Sequence, residues 1–492
     1  MRKDILYLGM LCIIFLAALF IRINIALETD TFSDDKAYFA LRQIESIKDT
    51  GLPIYEDSLS YGGREHVFVP LYYYLLAIFA LFFDTVLVAK VLPNIFAASI
   101  VFVVYLMISH MTKDKEVAVL TAFVSGFIPV FFEITINSVS VYSLAVPLGL
   151  LMFYSVLENR FWLFLISLIA LMLSSPSAII FVLALILYLI FSWVEGFKPA
   201  RSEVELTLFS LFLVVSVYFL IFRDALLAHG LDIVRQNIPS EMISFYFSEI
   251  DLVDALYRIG IVPAIAGTWA LYYYIRRKRM KPAYLIISLL IIDGLLLMFQ
   301  LIELRIGLLF LGAGLSVLFG QSFLLFIAYI KRTKFARFST AVIAAFFALF
   351  VLTSVMPSIQ LAEAEQEKSL PVSKVIAYTI LGNSTSPGSV FVTTVFEGHQ
   401  VNYYTGKKAF ADTSFLLIPD ASERLRDLRT MYTSAIEPKP LSLMREYGTD
   451  YIILSDRAES YYNISKISYV TDECFPLIYS GKDLKVYERR CG

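Results

Sequence analysis

The sequence predicts an all-α membrane domain of about eleven spanning helices, followed by a small α/β soluble domain. Of the 492 residues, 58% are hydrophobic and only 17% are charged, whereas soluble proteins carry about a quarter charged residues. From Ile5 to Val355 the charges gather in short clusters between apolar runs, and from about Ser358 the composition becomes globular. We therefore expect a membrane domain at 1–356 and a soluble domain at 357–492.

The predicted spans are apolar runs of sufficient length, since a spanning helix needs about 20 residues. The first run, Ile5 to Leu27, is too long for a signal peptide and lacks a small-residue cleavage site, which favours an uncleaved span. A shorter run, Val69 to Phe83, could span or lie at the surface. The remaining runs lie near 87–109, 117–132, 141–157, 161–173, 178–194, 204–223, 254–275, 283–299, 306–330 and 339–356.

Basic residues decide the orientation, because cytoplasmic loops are rich in Lys and Arg. With Val69–Phe83 at the surface, the basic clusters at 276–281 and 331–337 face the cytoplasm, and the outward loops at 133–140 and 174–177 carry no Lys or Arg. If that run spanned, both clusters would face outward. The sequence thus predicts a multi-pass plasma-membrane protein with a cytoplasmic N-terminus, an outward loop at 28–86 and an extracytoplasmic C-terminal domain.

The outward loop carries the residues that suggest chemistry. Asp34 and Asp35 follow the first span and begin a helix-like stretch that reaches about Lys48. Adjacent carboxylates at a helix start can serve as caps for the helix dipole, or one of them can act as a general base. Spacing does not distinguish these interpretations. Farther along, Gly62-Gly63 predicts a tight turn, followed by the polar residues at 64–66.

Short motifs in this order resemble the GT-C superfamily of membrane glycosyltransferases, in a prokaryotic, archaeal form. The motifs are the acidic pair, a helix with Tyr38-Phe39 and Arg42, and a Pro70-Leu-Tyr-Tyr surface helix. Leu173-Ser-Ser-Pro and Glu303-Leu-Arg305 are similar to features of later spans in such enzymes. The superfamily includes protein O-mannosyltransferases, aminoarabinose transferases and oligosaccharyltransferases.

The resemblance implies transfer of a hexose or pentose from a polyprenyl-phosphate donor to a protein, lipid or glycan acceptor at the outer face. Asp34 or Asp35 would be the base, and arginines would hold the phosphate, although Arg258 and Arg305 could instead snorkel to the interface. The expected substrate-binding residues are Tyr38, Arg42, Arg64, Glu65, His66, Arg258, Glu303 and Arg305. A lipid-linked donor needs no nucleotide site, and the sequence has no P-loop and no basic stripe for nucleic acid.

Two departures from the family pattern limit the prediction. Relatives commonly place an acidic residue in the second outward loop, where this chain has Ser140 or Val141, and Glu133 is the only carboxylate nearby. A divalent metal, Mg²⁺ or Mn²⁺, is therefore left open, with Glu133 as a weak candidate ligand and no other cofactor expected. The Trp-Trp-Asp motif of oligosaccharyltransferases is absent, which argues against a sequon-reading enzyme.

Two other function classes stay open at this point. A transporter or flippase of lipid-linked sugars would show inverted repeats, and none is detected. A non-catalytic scaffold would merely display the C-terminal domain. Asp293, in the middle of an apolar run, is a functional candidate or a hydrogen-bonded residue of the bundle.

The C-terminal domain is predicted from alternating strand and helix patterns. Strands are expected at 389–394 and 451–454, helices at 421–433 and 440–447, and a closing hairpin at 475–489. Cys474 and Cys491 either form a disulfide, which an oxidising compartment would permit, or are two free thiols.

Overall fold

The computed structural model describes residues 2–247 and 251–491, which form a helical bundle and a mixed α/β domain. The helices up to residue 366 are α1 Arg2–Ala26, α2 Asp35–Thr50, α3 Leu71–Ala80, α4 Thr85–Ala98, α5 Ile100–Thr112, α6 Lys115–Ser125, α7 Pro129–Thr135, α8 Tyr142–Leu157, α9 Phe161–Ser174, α10 Ala178–Val194, α11 Arg201–Ile221, α12 Arg223–His229, α13 Ser240–Tyr246, α14 Leu252–Ile259, α15 Ile261–Arg276, α16 Lys281–Met298, α17 Leu304–Lys331, α18 Ser339–Phe350 and α19 Met356–Gln366.

Helix length and hydropathy support six to eight membrane spans. Six segments are long and apolar enough to cross a bilayer: Asp4–Ala26, Thr85–Thr112, Arg201–Ile221, Lys281–Met298, Leu304–Lys331 and Thr340–Gln366. The bent pairs α6 with α7 and α14 with α15 raise the number to eight. Three further predicted spans are the shorter apolar helices α8, α9 and α10, of 16, 14 and 17 residues. All eleven predicted runs are thus helical, whereas eleven as the number of spans stays a prediction.

Helix α17 lies at the centre of the bundle and positions the residues at its own N-terminus. It packs against α15, α16 and α6, and most of its apolar window is buried. A side chain at Gly320 would meet the Thr121 hydroxyl at 2.5 Å, so glycine permits the close approach of α6. The N-terminal end of α17, at Glu303 and Arg305, is consequently held by the packed helices around it.

The long loop after α1 is ordered, and its helix α2 packs against α3. Helix α3 has ten residues, about 15 Å, which is too short to cross a bilayer and agrees with the predicted surface helix. Between them the strands β1 Glu56–Asp57 and β2 Arg64–Glu65 pair in antiparallel fashion. The predicted tight turn is present, since Tyr61, Gly62 and Gly63 all have positive φ.

The C-terminal domain is built on a five-stranded sheet. Its elements are α20 Val372–Ser384, β3 Val390–Val392, α21 Gly398–Thr405, β4 Lys408–Ala409, α22 Ala421–Thr433, α23 Pro438–Glu446, β5 Tyr451–Ser455, α24 Asp456–Tyr462, β6 Leu477–Ser480 and β7 Leu484–Glu488. The strand order is β4-β3-β5-β7-β6, with β3 parallel to both β4 and β5 and the other pairs antiparallel. The predicted strands, helices and hairpin are confirmed within a few residues.

The structure also decides the cysteine question. Cys474 and Cys491 form a disulfide whose Cα atoms are 4.7 Å apart, and it ties the end of the chain to the segment before β6. The helical run at 340–366 continues through the predicted domain boundary at 356, so the bundle reaches the C-terminal domain through unbroken helix.

Candidate active site

Charged residues from four separate segments meet at one end of the bundle, where the loop after α1 arrives. We call this group the mouth cluster; its members are Asp34, Lys36, Glu133, Asp254, Arg258, Glu303 and Arg305. They come from the start of α2, from α7, from α14 and from the start of α17. The cluster combines three cations with four carboxylates at the mouth of the bundle.

Arg258 is the central cation of the mouth cluster. Its Nη1 donates to both carboxylate oxygens of Glu133, and its Nε donates to Asp254 Oδ2 at 2.8 Å. The side chain of Glu133 is only 4% exposed, so this ion pair is largely withdrawn from water. Gly260 helps to position Arg258, because its φ of +94° allows the 96° bend between α14 and α15.

The start of α17 links Glu133 to the outward loop. Arg305 Nη1 lies 3.6 Å from Glu133 Oε1, and its side chain remains 52% exposed. Two residues earlier, Glu303 Oε1 lies 3.8 Å from Lys36 Nζ. Burial opposes the charge of Lys36, but Glu303 together with Tyr246, Asp34 and Tyr142 outweighs it and raises the pKa of Lys36 above its ordinary value. Tyr246 adds its ring face, 5.7 Å from the Lys36 ammonium.

The sequence does not distinguish Asp34 from Asp35, but the structure gives the two carboxylates different surroundings. Asp34 is exposed and caps α2, accepting the Lys36 N–H at 3.2 Å. Asp35 is only 3% exposed and accepts the backbone N–H groups of His399 and Gln400 at 3.2 and 2.9 Å, at the start of α21. Burial raises the pKa of Asp35 well above its ordinary value, against the effect of those two donors. Asp34 alone of the pair faces the mouth cluster.

A buried network of hydrogen bonds fixes the loop just before Asp34. Lys90 donates to the Thr31 carbonyl at 2.6 Å and to the side-chain oxygen of Asn137. The Asn137 backbone carbonyl accepts from the Ser33 hydroxyl at 3.2 Å, and its amide donates to Ser369 at 2.6 Å. The first loop, the second loop and the entry to the C-terminal domain therefore meet at one asparagine.

Most of the other predicted substrate-binding residues lie in a second group, between the outward loop and the C-terminal domain. We call it the docking cluster; its members are Asp35, Arg42, Asp57, Arg64, His66, His399 and Asp412. Arg42 holds Asp57 with two hydrogen bonds of 2.8 and 2.7 Å, and His66 Nε2 lies 3.3 Å from the same carboxylate. Burial would raise the pKa of Asp57, but His66 and Arg42 hold it well below its ordinary range.

Arg64 and His399 complete the docking cluster. Arg64 donates to the backbone carbonyls of Ser414 and Leu416, which belong to the C-terminal domain. His399 Nε2 lies 3.4 Å from Asp412 Oδ1, and burial lowers the pKa of His399 to about 4. Apart from His399 Nδ1, which is buried without a hydrogen-bond partner, these polar groups bond to one another and to backbone groups across the two domains, which is the pattern of a structural contact rather than of an open binding site.

Tyr38 and Glu65 also lie outside the mouth cluster. Tyr38 is fully buried, and its hydroxyl accepts the Phe32 N–H at 3.1 Å. Glu65 is exposed on β2. Lys36 was not predicted from the sequence. Its position was a usable signal, because a cation in the first turn of a helix is unfavourable with the helix dipole.

A divalent metal does not fit the described side chains of the mouth cluster. Glu133, the predicted weak ligand, is occupied by two arginines. Across residues 2–247 and 251–491 one group of three ligand atoms converges closely, Glu437 with Cys474 and Cys491, and its two sulfurs already form the disulfide. No other group of three or more described His, Cys, Asp or Glu side chains converges in this way.

Comparison with solved structures supplies the fold family. The archaeal oligosaccharyltransferase AglB from Archaeoglobus fulgidus, in complex with an inhibitory peptide and a dolichol-phosphate, matches with a TM-score of 0.68 at 15% identity, over 94% of this chain and 71% of that chain. An Archaeoglobus fulgidus oligosaccharyltransferase in complex with Zn and sulfate matches with a TM-score of 0.65 at 14% identity, over 97% of this chain and 73% of that chain.

A second enzyme type matches over its whole length. ArnT from Cupriavidus metallidurans, bound to undecaprenyl phosphate, has a TM-score of 0.55 at 10% identity, over 99% of this chain and 98% of that chain. No family model matches the sequence, and no curated protein matches it. AglB and ArnT are both GT-C glycosyltransferases, so the resemblance predicted from the short motifs is confirmed by the structure, and this multi-pass membrane protein has the GT-C fold.

Proposed function

We propose that the protein is a membrane glycosyltransferase that moves a hexose or pentose from a polyprenyl-phosphate-linked donor to an acceptor hydroxyl or amide. One observation carries the proposal: the exposed carboxylate of Asp34 lies beside Lys36, whose partner Glu303 stands at the start of α17 next to Arg305 and its neighbour Arg258. Structural relatives that bind dolichol-phosphate or undecaprenyl phosphate support a lipid-linked donor.

The reaction needs a base and a stabilised leaving group. Asp34 accepts the proton of the acceptor, whose oxygen or nitrogen then forms a bond to the anomeric carbon of the sugar. The bond between that carbon and the donor phosphate breaks, and its electron pair leaves with the phosphate. Arg305 and Lys36 stabilise the charge that develops on the phosphate oxygens, and Arg258 keeps the mouth cluster in place.

We assign the docking cluster a positioning role in this reaction. Asp35 holds the start of α21, and Arg42, His66 and Arg64 hold the outward loop against the C-terminal domain. That contact fixes α2, whose first residues are Asp34 and Lys36. Tyr38 supports the same helix from its buried face.

The proposed orientation has a cytoplasmic N-terminus and an extracytoplasmic C-terminal domain. The basic clusters at 276–281 and 331–337 favour it by the positive-inside rule. The disulfide between Cys474 and Cys491 agrees with it, since disulfides persist in oxidising compartments. Donor, acceptor and mouth cluster would then share the outer face.

The test is a membrane assay with radiolabelled polyprenyl-phosphate sugar. We expect Asp34→Asn to lower transfer by about 10²–10⁴-fold, the usual contribution of a positioned base. Asp49→Asn is the matched control, because Asp49 is exposed near the end of the same helix. Unchanged transfer by the Asp34 variant would eliminate the assigned base.

Two further outcomes separate the competing functions. A lipid-sugar flippase would move labelled donor across vesicle membranes without transferring it, and this movement would not need Asp34. A scaffold would neither move nor transfer the donor. Labelled acceptor that appears only with native protein supports the enzyme.

A further inference from the structure

We infer that the mouth cluster works without a divalent metal, because basic side chains supply the positive charge that a metal would otherwise bring to the leaving phosphate. The inference rests on the proposed function and specifies which groups of that site neutralise the leaving phosphate. It is carried by the ion pairs of Glu133, Glu303 and Asp254, each of which already has a cationic partner.

Glu133 is the least available of these carboxylates. Both of its oxygens accept from Arg258, and Arg305 lies 3.6 Å from one of them. A metal bound to Glu133 would have to displace Arg258 while remaining close to its positive charge. Repulsion between like charges is strong where water is largely excluded, so a side chain that is 4% exposed is a poor metal ligand in this setting.

The other carboxylates of the cluster are engaged separately rather than pointed at a common centre. Asp254 accepts from Arg258 Nε at 2.8 Å, and Glu303 faces Lys36 at 3.8 Å. Asp34 accepts the backbone N–H of Lys36. A catalytic Mg²⁺ or Mn²⁺ needs several oxygen ligands at about 2.0–2.2 Å, and the described carboxylates do not converge on such a point.

The two arginines differ in how free they are. Arg258 is 17% exposed and anchored on two carboxylates, whereas Arg305 is 52% exposed and has one distant ion pair. An incoming phosphate can therefore recruit Arg305, whose guanidinium suits two oxygens at once, while Arg258 continues to neutralise Glu133. Lys36 offers a second donor through its loose contact with Glu303.

The experiment measures metal and phosphate binding directly on the purified full-length chain. Undecaprenyl phosphate binding is measured in detergent with EDTA and with added Mn²⁺, and Mn²⁺ binding is followed by calorimetry. We expect the lipid affinity to change by less than about twofold between the two conditions, and Arg305→Gln to weaken it by about tenfold or more. The lipid affinity of Arg305→Lys should lie between those of the native chain and Arg305→Gln. Arg490 forms an exposed ion pair with Glu488, and Arg490→Gln should bind the lipid as tightly as the native chain.

The contrary result is equally definite. If EDTA weakens lipid-phosphate binding or sugar transfer about tenfold, Mn²⁺ restores it, and Glu133→Gln abolishes Mn²⁺ binding, then the inference is wrong. Lipid-phosphate binding that resists EDTA and depends on Arg305, in a chain that transfers no sugar, would refute the proposed function while supporting the metal-free site. Transfer that resists EDTA supports both.

Discussion

Replacing Arg42 by methionine should open the contact between the outward loop and the C-terminal domain. Arg42 makes two hydrogen bonds to Asp57, whose side chain is 1% exposed, and methionine would leave that carboxylate with His66 and one backbone N–H. Removing one partner of a buried ion pair costs about 3–5 kcal/mol. Because Arg42 is itself 10% exposed, we take the lower value, about 3 kcal/mol.

Hydrogen exchange of the loop measures this opening. The amides to follow are Leu59, which donates to Asp57 at 2.9 Å, and His66, which donates to Tyr55 at 2.7 Å. A loss of about 3 kcal/mol corresponds to roughly a hundredfold faster exchange where local opening limits it. Peptides that cover the basic loops at 276–281 and 331–337 should exchange as in the native chain.

A double variant provides the control. Asp57→Asn in the Arg42→Met background removes the unpaired charge while keeping an acceptor for Leu59, so it should recover most of the protection. If Arg42→Met exchanges within about threefold of the native chain, the ion pair does not hold the loop and the positioning role of the docking cluster is wrong.

Three further predictions concern parts of the same framework. Burial lowers the pKa of His399 to about 4 in the folded chain, against 6.5 for free histidine, so between these pH values the unfolded chain binds more protons than the folded chain. The stability of the docked C-terminal domain should therefore fall as the pH drops from about 6.5 toward 4. Thermal unfolding in detergent measures this loss. Gly260→Ala strains a φ of +94° and meets Ser354 at 2.7 Å, so it should displace Arg258 and lower transfer more than Gly9→Ala, where the added carbon has open space. Lys90→Met removes the donor to the Asn137 side-chain oxygen and leaves the Thr31 carbonyl with the Thr29 hydroxyl alone, so it should lower the unfolding temperature. An unchanged unfolding temperature would show that this hydrogen-bond network is dispensable.

The helices were largely predictable because their signals are local. Apolar runs of about 20 residues, charge clusters and turn glycines act over short stretches, and all eleven predicted runs are helical. Val69–Phe83 contains a helix of ten residues that starts after Pro70, and its place at the membrane surface stays a prediction. Helices α8, α9 and α10 match the predicted runs at 141–157, 161–173 and 178–194 to within one residue at each end.

The site was less predictable because partners far away in the chain decide it. Asp34 and Asp35 are neighbours, yet Asp35 turns to an α21 N-terminus 364 residues later. Arg64 carries a charge expected for phosphate, but its partners are carbonyls of the C-terminal domain. Arg258 and Arg305 were placed correctly at one level because both begin a predicted span. Their shared carboxylate, Glu133, lies on α7, in a separate segment that spacing could not connect to them.

The capping of α21 by Asp35 has a consequence for biogenesis. The loop that carries Asp35 leaves the ribosome long before His399 and Gln400, which are 364 and 365 residues farther along. At about 5–20 residues per second, the loop waits about 20–70 s for its partner. Asp35 can therefore reach its final contacts only when nearly the whole chain has been made, and truncation before α21 should leave the outward loop without this anchor.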